Sequence, residues 1–238
     1  LVNNAGGAGP KQTLENIPLT EAEARASGDH ETLFGAAMNL LGGPWNMARA
    51  AVPHLAEGGA IVNVSTIFSR TPYFGRIPYV VPKSGLNALS LGLARELGDG
   101  ERGIHVNTLF PGPIESDRIH AVFGAMDRLQ DQPEGTTSQH FKDLMIVRRP
   151  DTDGAMRYRY PDPQDVADTV LWLSTAETGA FSGHAFEVTN GMQVPAQSRS
   201  KLVSWPDNRL VDLRDQVVLI LGGADVDEAL EFARRNRD

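Results

Sequence analysis

The sequence contains no cysteine. That absence excludes a disulfide scaffold, a thiolate metal site and a cysteine nucleophile. Positive charge is scarce: 22 Lys and Arg face 30 Asp and Glu, a formal net charge of −8. This balance argues against broad binding to nucleic acid or to an anionic membrane. Apolar runs are short, and none approaches the ~20 residues a membrane helix needs. No basic stretch followed by an apolar core opens the chain, so no signal peptide is read there. Together with the missing cysteine, this is compatible with a cytoplasmic location. No Gly-x-Ser-x-Gly elbow of the serine hydrolases occurs. The six histidines show no metal-ligand spacing, so no metal site is expected. What is present is globular: 41% hydrophobic and 22% charged residues over 238 positions, a length that one α/β domain can fill.

Apolar runs alternate with amphipathic stretches, which predicts βαβ units around a parallel sheet. Leu1-Val2 reads as the end of a strand entering the turn Asn3-Asn4-Ala5-Gly6-Gly7. A long helix is expected over residues 20–56, kinked at Gly42-Gly43-Pro44 and ended by Gly58-Gly59. Residues 60–65 and 104–110 are β-rich runs and read as strands. Between them a second long helix spans about residues 79–97, with Leu86, Leu89, Leu93 and Leu97 at helical spacing. Residues 115–160 are too long for an ordinary connection and read as a functional insertion or lid with some helix of its own. Asp162-Pro163 starts a further helix, and residues 185–188 form a strand.

The chemistry concentrates on Tyr79-x-x-x-Lys83. Residues four apart on a helix share one face, and an ammonium beside a phenol favours the phenolate, lowering its pKa from about 10. A phenol so tuned can protonate a carbonyl oxygen or deprotonate an alcohol. An exposed helix-face pair is the plainer reading of that motif taken alone. Thr66 lies thirteen residues before Tyr79, and Asn39 forty residues before it.

With Asn3-Asn4-Ala5-Gly6, Asn39, Val64-Ser65-Thr66, Tyr79…Lys83 and Pro111-Gly112-Pro113-Ile114-Glu115-Ser116 in this order and spacing, residues 1–192 resemble the short-chain dehydrogenase/reductase family. The resemblance implies an α/β, Rossmann-like, doubly wound parallel sheet and an enzyme interconverting a carbonyl and an alcohol with a nicotinamide coenzyme. It implies that Thr66 orients the substrate oxygen, where serine is usual, with Ser65 as the neighbouring alternative. Tyr79 would be the acid/base. Lys83 would hold the nicotinamide ribose and tune Tyr79, and Asn39 would anchor a water leading protons to Lys83. Asn4, Ala5 and Gly6 would line the cofactor, as would Pro111 and Gly112; Ile114 and Ser116 would bond its carboxamide.

The family's glycine-rich phosphate turn has no counterpart ahead of Asn3-Asn4-Ala5-Gly6. The register therefore predicts a C-terminal portion of one such domain over residues 1–194, without its first three strands. A linker follows at 195–214, and then, at 215–238, the first βα unit of a second Rossmann-like domain. On this reading the chain by itself would bind coenzyme poorly. Gly222-Gly223-Ala224-Asp225 does not supply the missing turn, since Asp225, Asp227 and Glu228 would repel phosphate. The tandem pattern resembles the tandem short-chain reductases of the bifunctional malonyl-CoA reductase type. That resemblance implies NADP(H) rather than NAD(H), although the residues that select between them lie upstream of this sequence. It also implies malonate semialdehyde as the small-molecule carbonyl substrate, reduced to 3-hydroxypropionate. Arg148 and Arg149, in the insertion, would then clamp the substrate carboxylate, against the alternative of loop charges balanced by Asp151, Asp153 and Asp162. Other readings are a generic 3-oxoacyl or secondary-alcohol dehydrogenase and a catalytically silent Rossmann assembly module. The family's habit of pairing long helices implies a homo-oligomer, dimer or tetramer, through residues 20–56 and 79–97.

Overall fold

A computed structural model describes residues 1–28, 31–175 and 178–192. The expected linker and second βα unit lie outside the described residues. Four strands, β1 (Val2–Asn3), β2 (Ala60–Val64), β3 (His105–Pro111) and β6 (Ala185–Val188), pair in the order β1-β2-β3-β6, all parallel. Parallel strands covered on both faces need apolar side chains both ways. In β2, Ile61 points with Val106 of β3 towards α4 (Ile77–Gly98), where they pack against Leu93, Ala94 and Leu97. Val62 points the other way, with Leu109, onto Val166, Val170 and Leu173 of α7 (Pro163–Leu173). Helices on opposite faces make this a doubly wound sheet.

One polar chain crosses this core. Asn3 Nδ2 donates to Asn63 Oδ1 at 2.7 Å, and Asn63 Nδ2 donates to Ser90 Oγ at 2.9 Å. Ser90 in turn donates to the Leu86 carbonyl at 2.7 Å. All three side chains are buried, so each link avoids the cost of a polar group left unpaired. The network ties β1, β2 and α4 together and holds the turn after β1 in place.

The helix expected over residues 20–56 is several pieces. α1 (Glu21–Ser27) stops at Gly28, whose φ of 76° lies in the left-handed region that glycine enters without strain. Thr32 then caps α2 (Leu33–Ala37), its hydroxyl accepting from the Gly35 N–H. A π-helical turn, Met38–Gly42, leads into α3 (Gly43–Ala51). Pro44 has no N–H to return to the Leu40 carbonyl; the wider register, with Gly43 N–H donating to Met38 O, absorbs that loss. Trp45 and Met47, on α3, are exposed rather than core residues.

Residues 115–160 do carry structure of their own: α5 (Asp117–Leu129), α6 (Thr136–Asp143) and a short antiparallel pair, β4 (Arg149–Pro150) with β5 (Met156–Arg157). Phe123, Met126, Phe141, Met145 and Tyr160 form its core and continue it onto Ile67 and Phe110. Asp127 binds α5 to α6, accepting from the N–H groups of Gly135 and Thr137 at 2.8 Å each. Those bonds and that of the Thr137 hydroxyl outweigh burial and hold its carboxyl below the usual range. Among the described residues no helix is long and apolar enough to cross a membrane.

Candidate active site

A cavity of about 540 Å³ opens at the C-terminal ends of β1, β2 and β3, where open parallel sheets place their ligands. The floor comes from strand ends. Asn4 and Gly6 follow β1, Ser65 and Thr66 follow β2, and Pro111 and Gly112 end β3. Tyr79 and Lys83 reach it from the first two turns of α4, one turn apart on one face. Pro78 starts that helix at a position where a missing N–H costs nothing. α5 and α6 supply an apolar roof that includes Ile119, Val122, Phe123 and Phe141.

Two hydroxyls after β2 are used differently. Ser65 donates to the Lys83 carbonyl at 3.2 Å and so fastens β2 to α4. Thr66 keeps a weaker commitment: its hydroxyl lies 3.5 Å from the Pro111 carbonyl and accepts from the Phe68 N–H at 3.3 Å. Thr66 also bears on Tyr79. Burial pushes the Tyr79 phenol above its ordinary pKa, while Arg76, the Thr66 hydroxyl and Arg118 work in the opposite direction. Lys83 lies one turn further along the same face of α4. Its ammonium is buried, donates to the Val64 carbonyl at 2.6 Å, and is pushed down to about 8 by burial, with Arg118 adding to the effect.

Arg76 and Arg118 are the cavity residues that sequence reasoning missed. The Arg76 guanidinium lies 4.7 Å from the centre of the Tyr79 ring and donates through Nη2 to the Ala8 carbonyl at 2.8 Å. Arg118, in the first turn of α5, donates through both Nη atoms to the Gly6 carbonyl at 3.4 Å. The available signal was positional: Arg76 stands one residue before the helix that carries Tyr79, and Arg118 two residues after Ser116.

Several expected site residues are not brought to the cavity. Asn39 sits in the π-helical turn with an exposed side chain that donates to Glu31 Oε1 at 2.5 Å, and it does not line the cavity. Ala5 lies in the turn without lining the cavity. Arg148 and Arg149, the expected carboxylate clamp, do not line the cavity. Arg149 is ion-paired with Asp165 of α7, and Arg148 lies over the exposed ring of Tyr158 at 4.9 Å. Arg157 and Arg159 are likewise paired, with Asp151 and Asp153 and with Asp162. Ile114 and Ser116 do line the cavity, but the Ser116 hydroxyl is shared: it caps α5, accepting from the Ile119 N–H at 3.3 Å, and donates to the Ile114 carbonyl at 3.1 Å.

The floor suits a flat, charged organic group. Gly6 and Gly112 leave bare backbone there; a Cβ on Gly6 would meet Leu40 Cδ2 at 2.6 Å, and one on Gly112 would meet Thr189 at 3.3 Å. A buried ammonium with only a carbonyl partner completes it. These features could hold the nicotinamide riboside half of a dinucleotide. No group of His, Asp or Glu that could hold a metal ion occurs among the described residues.

Comparison with known proteins agrees with this geometry. A family model described as enoyl-(acyl carrier protein) reductase matches residues 1–145. The 7α-hydroxysteroid dehydrogenase of Clostridium sardiniense is 29% identical over 193 residues, which are 80% of this chain and 62% of that protein. A 3-oxoacyl-[acyl-carrier-protein] reductase of Staphylococcus aureus is 29% identical over 194 residues, 81% of this chain and 65% of that one. Among solved structures, the N-domain with NADP of a bacterial malonyl-CoA reductase is 50% identical with a TM-score of 0.76. That match covers 82% of this chain and 36% of the other. The chain therefore spans less than two thirds of the length of these relatives.

Proposed function

This chain belongs to the short-chain dehydrogenase/reductase family, and we propose that its cavity carries out NADP(H)-dependent reduction of a short aldehyde, malonate semialdehyde, to 3-hydroxypropionate. The observation that carries the reading is the meeting of Thr66, Tyr79 and Lys83 on one cavity floor beside the bare backbone of Gly112. The 50% identity to a malonyl-CoA reductase N-domain crystallised with NADP supports the choice of substrate and coenzyme.

The coenzyme, when bound, supplies a hydride to the carbonyl carbon. The remaining work falls to the chain. Thr66 donates to the carbonyl oxygen and fixes its direction, exchanging its long contact with Pro111 for a shorter one. The high pKa of Tyr79 keeps its phenol protonated at neutral pH, so it delivers a proton to the oxygen as charge develops there. Arg76, beside the ring, stabilises the phenolate left behind. Lys83 holds the ribose. The apolar roof excludes water, which strengthens each of these interactions.

The full-length protein, purified and given NADPH and malonate semialdehyde, should consume the two in equal amounts and yield 3-hydroxypropionate, with NADH a poorer donor. Absence of aldehyde-dependent NADPH loss would overturn the assignment. Phe34, Met38 and Trp45 along α2–α3, and Val81 on α4, are exposed apolar side chains. We assign them to contact between two copies of the chain. The double variant Trp45→Glu, Val81→Glu should sediment as a smaller species than the unaltered protein; identical sedimentation of the two contradicts a contact there.

A further inference from the structure

We infer that Arg76 is a specificity-determining residue that binds a carboxylate on the substrate, close to the carbonyl that Tyr79 protonates. This rests on the reductase reading above and deepens it. Arg76 is 7% exposed, and its Nη1 is buried with no hydrogen-bond partner among the described residues. A guanidinium shut away from water is costly unless an anion or full hydrogen bonding compensates it. Here Nη2 has only the neutral Ala8 carbonyl. Burial pushes the group down to about 10, with Tyr79 opposing the fall and Arg118 adding to it.

The surroundings lack the missing charge. Among the described residues the cavity lining holds three cations, Arg76, Lys83 and Arg118, and no Asp or Glu. This occurs in a chain whose formal net charge is −8. Arg118 disfavours the charged forms of both Arg76 and Lys83, so an incoming anion relieves repulsion as well as making its own bonds. Other arginines of the region have already found carboxylates, Arg149 with Asp165 and Arg159 with Asp162. Arg76 has not.

Two anions could answer this need, a coenzyme phosphate or a substrate carboxylate. The position of Arg76 decides between them. It stands immediately before α4, against the ring of Tyr79, whereas the Gly6 side of the cavity is covered by Arg118. An anion held by Arg76 is therefore next to the reacting carbonyl, and the substrate is a short oxo acid with the two groups only a few bonds apart. A guanidinium suits a carboxylate because its planar fork can donate two parallel bonds.

The test compares the full-length protein with its Arg76→Gln and Arg76→Lys variants. Kinetics use malonate semialdehyde against the neutral aldehyde propanal; direct binding uses malonate, a non-reacting dicarboxylate, and separately 2′,5′-ADP. Arg76→Gln should lower kcat alike for both aldehydes, because the Tyr79 phenolate loses its neighbouring cation, but raise KM for malonate semialdehyde by ~30-fold or more against about threefold or less for propanal, and abolish malonate binding. Binding of 2′,5′-ADP should be unchanged, and Arg76→Lys should restore part of the malonate affinity. An equal rise in KM for both aldehydes, or undiminished malonate binding by Arg76→Gln, would overturn the inference. Loss of 2′,5′-ADP binding instead would assign Arg76 to the coenzyme and overturn it equally. If malonate binding behaves as stated but no aldehyde is reduced, the anion site stands and the reductase reading fails.

Discussion

Replacing Tyr79 by Phe is expected to lower carbonyl reduction by ~10²–10⁴-fold while leaving the fold intact. The substitution removes one oxygen and keeps the ring on which the Arg76 guanidinium rests. It also spares the Asn3–Asn63–Ser90 network and the packing of α4 on the sheet, so stability should change by no more than about 1 kcal/mol. The loss should fall on the chemical step. Thr66 and the Gly112 backbone still receive aldehyde and coenzyme, so single-turnover measurements should show a slow reduction after normal binding. A variant that turns over at the unaltered rate would remove Tyr79 from the reaction. One that loses coenzyme binding as well would make it a structural residue.

Lys83→Met should give the second large effect, with opposite signs for activity and stability. Lys83 is 6% exposed, and its folded-state pKa of about 8 lies below the ordinary lysine value of 10.5. At neutral pH the folded protein therefore keeps a buried charge that the unfolded chain would carry in water at no cost. Between about 8 and 10.5 the unfolded state binds more protons than the folded one, so stability rises with pH through that window. Methionine is of similar length and uncharged. The variant should be more stable than the unaltered protein at pH 7, by ~1–2 kcal/mol after the loss of the bond to Val64. That advantage should shrink towards pH 10. Reduction should fall by about 10²-fold or more with the ribose contact, and in the unaltered protein kcat/KM should decline as pH rises through about 8. Chemical denaturation at pH 7 and pH 10 reads the first effect and a pH–rate profile the second. A variant less stable at both pH values would show that the Lys83–Val64 bond outweighs the buried charge. Such a residue, costly to the fold and kept by the function, is expected at an active site.

Much of this architecture was legible because the physics is local. Short apolar runs such as 60–64 and 105–110, alternating with amphipathic stretches, suit the doubly covered strands of a parallel sheet, and Asp162-Pro163 announced α7. Tyr79 and Lys83 shared a face because a helix makes residues four apart do so. What the sequence hid depended on neighbours far along the chain. The π-helical turn at Met38–Gly42 is a response to Pro44 that apolar periodicity does not report. Arg149 looked available for substrate until folding brought α7 and Asp165 to it. Arg76 looked like any loop cation until its burial, and the emptiness around Nη1, became visible. Charge pairing is decided by tertiary contact, so the sequence could suggest an arginine clamp but not which arginine forms it.

The central claim is that this cavity directs hydride and proton onto one carbonyl group. Mass spectrometry of the product formed from malonate semialdehyde and [4-²H]NADPH, carrying deuterium on the transferred face, tests it most directly. The account predicts 3-hydroxypropionate with one deuteron on the former aldehyde carbon, formed at a rate that collapses in Tyr79→Phe. Product without that deuteron, or deuterium transfer indifferent to Tyr79, would contradict it.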